Sequence, residues 1–194
     1  MDSFVSRKFR IIASAIEIIS ESGIDALTTR TLAMKENMSE SLLYKYFGGI
    51  DEVLVAVVDQ FVQFDENIRA TVMSRKASNI ERLREYLDTY VTYYGNYPEI
   101  TALVLDYETL LHNYDVREKI AGTIAIKINT VEQLAAAAIE AGEIRDLYTP
   151  KELQTLIWGA VNSILLIRRV DYHEDGFKEQ CMQLFDKLID SIKL

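Results

Sequence analysis

Helical periodicity runs through nearly the whole chain and constrains its fold more than any other feature. Apolar residues recur at intervals of three and four, which is the spacing of one face of an α-helix. No segment alternates between apolar and polar residues for long enough to predict a sheet. Eight glycines and two prolines in 194 residues are also few for a barrel or sandwich built on many tight turns. The sequence therefore predicts an all-α protein.

We expect about nine helices, with ends set by capping residues and by glycine. The first runs from about Ser6 to Ser22 and ends at Gly23, with an apolar stripe of Phe9, Ile12, Ile16 and Ile19. Thr28 and Ser39 are suited to cap the next two. The remaining helices are predicted over residues 28–35, 39–46, 51–73, 79–94, 98–112, 116–140, 150–170 and 174–192.

The charge is distributed unevenly along the chain. A formal net charge of -9 argues at first against a nucleic-acid-binding protein, because such proteins usually carry a basic surface. Residues 1–50, however, hold six basic and six acidic side chains, so the whole excess of negative charge lies in residues 51–194. This difference predicts two functional parts, a head in residues 1–50 and a body in residues 51–194.

Cysteine content and hydropathy indicate the compartment. A single cysteine, Cys181, excludes an intrachain disulfide and fits a reducing environment. The first residues lack a basic stretch followed by an apolar one, so no signal peptide is expected. The most apolar stretch, Leu156–Ile167, is too short for a membrane span of about 20 residues. We therefore expect a soluble, cytoplasmic protein with no membrane partner.

Residues 26–47 predict a helix-turn-helix unit. Two short helices joined by three or four residues form such a unit, and its second helix can enter the DNA major groove. The turn needs a residue that tolerates a left-handed φ, and Asn37 does so. The side chains placed to pack the helices together are Leu32, Ala33, Met38, Leu42 or Leu43, and Phe47.

This stretch resembles the TetR family of transcriptional regulators. The ordered matches are Thr28 and Thr29, Leu32-Ala33, Asn37-Met38-Ser39, Leu43-Tyr44-Lys45-Tyr46-Phe47 and Asp51-Glu52-Val53-Leu54. A pair of helices alone would be weak evidence, because such pairs are common packing units. This ordered set of residues is much more specific to the family. The resemblance implies a three-helix head that binds DNA and a larger helical body that binds a ligand and dimerises. It covers about the first quarter of the chain, and the body agrees only in the number and order of its helices.

Two positions depart from the family pattern. Asn37 replaces the usual turn glycine, which costs little. Ile50 stands where the family commonly has a lysine that contacts a DNA phosphate. Phosphate contacts set affinity and salt dependence, so the change predicts weaker binding or compensation by Arg7, Lys8 and Arg10.

The resemblance also assigns roles to individual residues. Hydroxyls at Thr28, Thr29 and Tyr44 match positions that contact the DNA backbone, and Arg30 can reach a phosphate or a guanine edge. On the recognition helix, Glu40 either accepts a hydrogen bond from cytosine or is a solvated acid favoured by the helix dipole. The predicted DNA-binding set is Thr28, Thr29, Arg30, Ser39, Glu40, Ser41, Tyr44 and Lys45.

The body offers candidates for a ligand chamber and a dimer interface. Seven of the eleven tyrosines lie between positions 86 and 114, and their near-helical spacing places several on one face. They either line a pocket for a mostly apolar molecule or pack an ordinary core. The candidate ligand-binding residues are Tyr86, Tyr90, Tyr93, Trp158 and Asn162. The last two helices, by resemblance, pair with their copies in a homodimer, and Cys181 is interpreted as a buried or interfacial residue rather than a redox switch.

Catalytic and metal sites are not expected. The sequence lacks a cysteine pair for zinc, a phosphate-binding glycine loop and the Gly-x-Ser-x-Gly motif. We therefore expect that the protein is not an enzyme and that it binds no metal and no cofactor. The sequence predicts a ligand-responsive regulator, a repressor released from a palindromic operator by a small, mostly apolar molecule. The alternative is a helical small-molecule-binding or interaction protein that has lost operator affinity.

Overall fold

The computed structural model describes residues 2–171 and 176–194, and this part of the chain is almost entirely helical. It contains ten α-helices and no β-strand, which confirms the predicted all-α class. A short 3-10 helix, Ile24–Ala26, lies between the first two. The α-helices are α1 (Asp2–Ser22), α2 (Thr29–Lys35), α3 (Glu40–Leu43), α4 (Ile50–Met73), α5 (Asn79–Asn96), α6 (Pro98–Leu105), α7 (Tyr107–Leu111), α8 (Arg117–Glu140), α9 (Pro150–Val170) and α10 (Phe177–Ile192).

The helix ends follow local chemistry. Gly23 ends α1 with a φ of 82°, which a residue without a Cβ adopts at little cost. The Thr28 hydroxyl caps α2 by accepting from the Thr31 amide, and Ser39 caps α3 by accepting from the Leu42 amide. At α9, Thr149 and Glu152 form a reciprocal capping box in front of Pro150. The predicted caps of α2 and α3 are thus confirmed.

Three details differ from the sequence-based expectations. The single helix predicted over residues 98–112 is two helices, because Asp106 leaves helical geometry with φ −93° and ψ 12°. Phe9 is 57 % exposed, and the buried face of α1 is instead formed by Ile11, Ile12, Ala15, Ile18 and Ile19. The predicted start of the last helix, Glu174, lies outside the described residues.

The chain forms two compact units. Unit 1 comprises residues 1–63 and 97–122, and unit 2 comprises residues 64–96 and 123–194. In unit 1, α1 packs against α2 and α6. In unit 2, α10 packs against α5 and α9. The predicted division at residue 50 is a functional one and stays a prediction.

Helix α9 has a buried face and an exposed apolar face. Leu153, Ile157, Val161 and Leu165 are buried in unit 2. On the other side an apolar stripe reaches solvent, and we call it the α9 stripe: Leu156, Leu166, Ile167 and Val170. Within residues 2–171 and 176–194, no helix combines the length and apolar character that crossing a membrane requires.

Candidate nucleic-acid interface

Helices α2 and α3 are joined by a tight turn that depends on Asn37. Its φ of 51° places it in the left-handed region, where asparagine is among the few tolerated non-glycine residues. The turn is closed by the Met38 amide, which donates to the Ala33 carbonyl at 2.9 Å. Local chemistry therefore produces the helix-turn-helix geometry that the sequence predicts.

The two short helices share a small apolar core. Leu32 and Ala33 on α2 are buried, as are Leu43 and Phe47 on and after α3. Of the alternatives Leu42 and Leu43, it is Leu43 that is fully buried. A four-residue helix such as α3 is too short to be stable alone, so this packing holds the recognition helix in place.

Ion pairs attach α2 to α1. Glu36 accepts hydrogen bonds from Arg10 at 2.8 Å and from the Ser14 hydroxyl at 2.7 Å. Partial burial pushes the pKa of Glu36 upward, but these bonds and the nearby positive charges bring it below its ordinary value. The hydrogen bond to Glu17 is the main cause that raises the pKa of Lys35, which also pairs with Glu21. Both pairs fix the orientation of α2.

Seven of the eight predicted DNA-binding side chains are exposed, and Thr29 is half-buried. Tyr44 is 53 % exposed despite its large ring. Thr28 and Ser39 are also exposed, but their hydroxyls already cap the two helices. The Ser39 hydroxyl additionally lies 3.0 Å from that of Ser41. The exposed side chains that neither cap a helix nor bond to Thr29 are Arg30, Ser41, Tyr44 and Lys45.

Thr29 and Glu40 contact each other across the turn. The Thr29 hydroxyl donates to Glu40 Oε2 at 2.7 Å. This bond uses the proton that Thr29 would otherwise offer to a phosphate oxygen. It also directs the Glu40 carboxylate toward α2, so both predicted contacts are engaged within the protein.

Ile50 lies at a hollow of unit 1 whose lining is part apolar and part polar, with Asp25, Asp51 and His112 among the polar residues. The hollow has a volume of about 420 Å³, and its lining includes Ile24, Leu27 and Leu54 beside Ile50. Of the three cations expected to compensate, Arg10 is paired with Glu36, and Lys8 lies 4.8 Å from the centroid of the Phe47 ring. Arg7 is half-buried.

Unit 2 contains an aromatic cluster formed by three of the predicted ligand-binding residues. The ring centroids of Tyr86 and Tyr90 are 5.0 Å apart, and Trp158 lies 6.4 Å and 5.3 Å from them. All three side chains are buried. Tyr93 is half-buried and stacks on Phe64 at 3.7 Å. Asn162 is exposed, so it lies apart from the cluster.

A buried ion pair borders this aromatic cluster and was not anticipated. Lys127 Nζ lies 3.3 Å from Asp65 Oδ2, and both side chains are less than 10 % exposed. The Tyr90 hydroxyl donates to Asp65 Oδ1 at 2.8 Å, and Lys127 donates to the Tyr94 hydroxyl at 2.9 Å. Burial raises the pKa of Asp65, although the charge of Lys127 and the Tyr90 hydrogen bond oppose it.

The sequence holds a signal for that pair. Asp65 falls on the buried stripe of α4, between Phe61 and Ile68 at helical spacing. Lys127 likewise interrupts the buried stripe of α8, before Val131. A charge on an apolar stripe predicts a buried partner of opposite charge, because an isolated buried charge is too costly. In the described parts of the chain, no group of three or more histidine, cysteine or acidic residues could hold a metal ion.

Comparison with known proteins shows a family similarity in the first part of the chain. Residues 11–57, which include the whole helix-turn-helix unit, match the model of bacterial regulatory proteins of the TetR family. The helix-turn-helix part of the chain is therefore similar to the TetR family. Its helix order and its turn geometry at Asn37 agree with that similarity, which supports a DNA-binding regulator of transcription. The matching proteins are transcriptional regulators and not enzymes, in agreement with the expectation from the sequence.

Several transcriptional regulators resemble this chain over most of its length. The fatty acid metabolism regulator protein of Bacillus subtilis (strain 168) is 21% identical over 154 residues, which is 79% of this chain and 78% of that protein. The structure of the ketosteroid transcriptional regulator KstR2 of Mycobacterium tuberculosis superposes with a TM-score of 0.83 at 14% identity, over 97% and 95% of the two chains. The regulator FadR from Bacillus subtilis, solved in complex with stearoyl-CoA, gives 0.75 at 18% identity, over 95% and 98%. At these identities the structures share the fold.

Proposed function

We propose that this protein is a homodimeric, ligand-responsive repressor of the TetR family that acts in the cytoplasm. Its head, residues 1–50, binds a palindromic operator, and its body, residues 51–194, binds the effector and the second copy. The observation that carries the proposal is the folded helix-turn-helix unit with four exposed side chains suited to DNA: Arg30, Ser41, Tyr44 and Lys45.

Within the head, the side chains divide into two groups by chemistry. Lys45 and the hydroxyl of Tyr44 suit phosphate contacts, which fix position and affinity. Arg30 can pair with guanine O6 and N7 or with a phosphate. Ser41, near the start of α3, can contact a base edge. Thr28 and Ser39 contribute mainly by capping, so the helix ends that face DNA stay ordered.

Dimerisation is proposed through α9 and α10. The α9 stripe exposes four large apolar side chains, and Leu184 on α10 is 46 % exposed. Burial of apolar surface stabilises by roughly 25 cal/mol per Å², so a second copy placed on these helices would gain from covering them. A two-fold dimer also presents two recognition helices to half-sites about 34–36 Å apart.

Effector response is proposed for the body. The regulator solved with stearoyl-CoA and the ketosteroid regulator share this fold, which supports a body that accepts apolar small molecules. Helix α4 begins just after the head and continues to Met73, carrying Asp65 in its later part. An effector that favours one position of α4 would alter the half-site spacing. Such coupling amounts typically to about 1–3 kcal/mol.

The test titrates the purified protein with DNA from upstream of its own coding sequence. We expect sequence-specific binding whose affinity falls steeply with salt. The double variant Arg30→Ala/Tyr44→Ala should lose this binding. The matched control is Tyr114→Ala/Arg117→Ala, which removes a tyrosine and an arginine at exposed positions outside the head.

Two results would refute the proposal. Unchanged affinity of the Arg30→Ala/Tyr44→Ala variant would remove α2 and α3 from the interface. Absence of specific DNA binding by the wild type would favour a helical small-molecule-binding protein without operator affinity, an outcome consistent with Ile50 in place of a phosphate-binding lysine.

A further inference from the structure

The hollow beside Ile50 is large enough to hold a small molecule. Its volume of about 420 Å³ lies within the range of about 300–1,000 Å³ that is usual for ligand pockets. Three elements of unit 1 line it, namely the short 3-10 helix with Leu27 directly after it, the start of α4 and the end of α7. We call this cavity the unit 1 hollow.

Part of the lining is apolar and available to an occupant. Leu27 and Leu54 are each only 7% exposed, so they belong to the core as well as to the hollow. Ile24 and Ile50 are half-buried and present apolar surface that a ligand can still cover. Removal of such surface from water favours the binding of an apolar group.

The charge of the lining is negative. Asp25 and Asp51 are exposed, and neither carboxylate forms a hydrogen bond or an ion pair with a described residue. The described lining includes no lysine and no arginine. Its histidine, His112, has Nε2 at 3.3 Å from Glu108 Oε1, so Glu108 compensates the ring when the ring carries a proton. An excess of negative charge therefore remains in either state of the ring.

Apolar side chains beside uncompensated carboxylates define the occupant. A carboxylate or phosphate ligand would be repelled by both aspartates. A bare metal ion would leave the apolar surface uncovered, and the described residues offer no group of three or more histidine, cysteine or acidic side chains to hold one. We propose that the unit 1 hollow binds an organic cation, an ammonium group on an apolar body. The carboxylates of Asp25 and Asp51 attract its charge. Its apolar body covers Ile50 and Leu54.

Position 50 determines whether the hollow can accept a cation. A lysine at this position would add a positive charge to the lining, whereas Ile50 leaves the negative excess and adds apolar surface. Ile50 is also the first residue of α4, and Leu27 directly precedes Thr28, whose hydroxyl caps α2. An occupant would therefore contact residues that adjoin α2 and begin α4. This inference goes beyond the proposed repressor, because it concerns a ligand site in unit 1 and does not depend on operator binding.

Binding is measured on the full-length protein, without DNA, by isothermal titration calorimetry. Three probes separate charge from apolar contact: phenylbutylammonium, phenylpentanoate, which carries the opposite charge on a body of similar size, and propylammonium, which lacks the ring. We expect saturable binding of phenylbutylammonium and at least about tenfold weaker binding of the other two.

His112 reports the location of binding. The chain has two histidines, so the NMR resonances of the His112 ring are assigned by comparison with His112→Gln. These resonances should shift during the titration with phenylbutylammonium and saturate at the concentration found by calorimetry, because His112 lines the hollow.

Variants test the two chemical requirements. Asp25→Asn and Asp51→Asn each remove one negative charge at nearly constant size, and each should weaken phenylbutylammonium binding about twofold to fivefold. Ile50→Lys should weaken it at least about tenfold, since it places a positive charge at the lining. The matched control for Asp25→Asn/Asp51→Asn is Asp146→Asn/Asp190→Asn, which removes the same charge at exposed positions of unit 2 and should leave the affinity unchanged. Circular dichroism checks that each variant keeps its helical content.

Four results would overturn the inference. They are equal or tighter binding of phenylpentanoate, equal or tighter binding of propylammonium, unshifted His112 resonances, and an Asp25→Asn/Asp51→Asn variant that binds like its control. The last result would mean that the two carboxylates are only solvated acids at helix ends. None of these measurements uses DNA, so failure of the cation site is distinguishable from failure of the proposed repressor.

Discussion

The buried pair of Asp65 and Lys127 makes a sharp prediction about stability. The perturbation is Lys127→Met, which keeps a side chain of similar length and removes its charge. Asp65 then remains buried with only the Tyr90 hydroxyl as a donor to its Oδ1. We expect this variant to be strongly destabilised at neutral pH.

The magnitude follows from the geometry of the pair. At the 3.3 Å that separates Lys127 Nζ from Asp65 Oδ2, two unit charges attract by about 5 kcal/mol at an effective dielectric constant of about 20. Desolvation of both ions offsets much of that attraction in the wild type. Removal of one partner leaves the other desolvated and unpaired, which typically costs about 3–5 kcal/mol. The double variant Asp65→Leu/Lys127→Met should recover most of the loss.

Low pH should reduce the loss of folding stability in the Lys127→Met variant. Burial already raises the pKa of Asp65, and Lys127 is one of the influences that hold it down. Without Lys127 the folded-state pKa rises further above the unfolded value, so the folded state binds the proton more tightly. The destabilisation is therefore largest at neutral pH and shrinks as the pH falls through that raised pKa.

The assay is urea unfolding followed by circular dichroism, at neutral pH and in mildly acidic buffer. Lys119→Met is the matched control, because Lys119 also lies on α8 and pairs with Asp59, but at the surface. That surface pair should contribute less than about 1 kcal/mol. If Lys127→Met costs no more than Lys119→Met, or if its cost does not depend on pH, the buried pair is not the determinant described above.

Three further predictions concern other parts of the chain. Glu40→Gln removes a negative charge from the recognition surface and weakens the hold on the Thr29 hydroxyl, so DNA affinity should rise about twofold to fivefold in fluorescence anisotropy. The control is Asp190→Asn, which removes a negative charge at an exposed position on α10. If Glu40→Gln instead lowers DNA affinity and alters the sequence preference, Glu40 takes part in base recognition. Burial raises the pKa of the Cys181 thiol to about 12, so iodoacetamide should label the native protein far more slowly than the urea-unfolded chain at neutral pH; equal rates would contradict its burial. Thr149→Ala removes the hydroxyl that caps α9 and should cost about 1 kcal/mol in urea unfolding, whereas no loss would mean that the cap is dispensable.

Features determined by near neighbours in the chain were predictable. The caps at Thr28 and Ser39 and the left-handed turn at Asn37 depend on the residue itself and on atoms within a few positions. The helix-turn-helix packing follows from the same local geometry. A sequence pattern read at helical spacing contains that information directly.

Features that depend on tertiary packing were not predictable from the sequence. The periodicity of residues 98–112 continues through Asp106 although the helix does not, because periodicity records which face is apolar and not whether the axis continues. Phe9 shows the same limit, since hydrophobicity alone does not say which flank of α1 is covered. The pairing of Asp65 with Lys127 joins residues far apart in sequence, so each charge predicts a partner but not its identity.

The two faces of α9 differ in the substitutions that they tolerate, and this difference affects whether the protein pairs with related regulators in the same cell. Residues such as Ile157 and Val161 are committed to the interior, and changing them would damage the monomer. Ile167 and Val170 reach solvent, so substitutions there leave that interior intact. A charge at one position, together with an opposite charge that meets it from the second copy, could therefore favour like pairs over mixed pairs without altering the recognition helix or the aromatic cluster. Under the dimer proposed above, gene duplication followed by changes in the α9 stripe alone could yield two regulators that do not form mixed dimers.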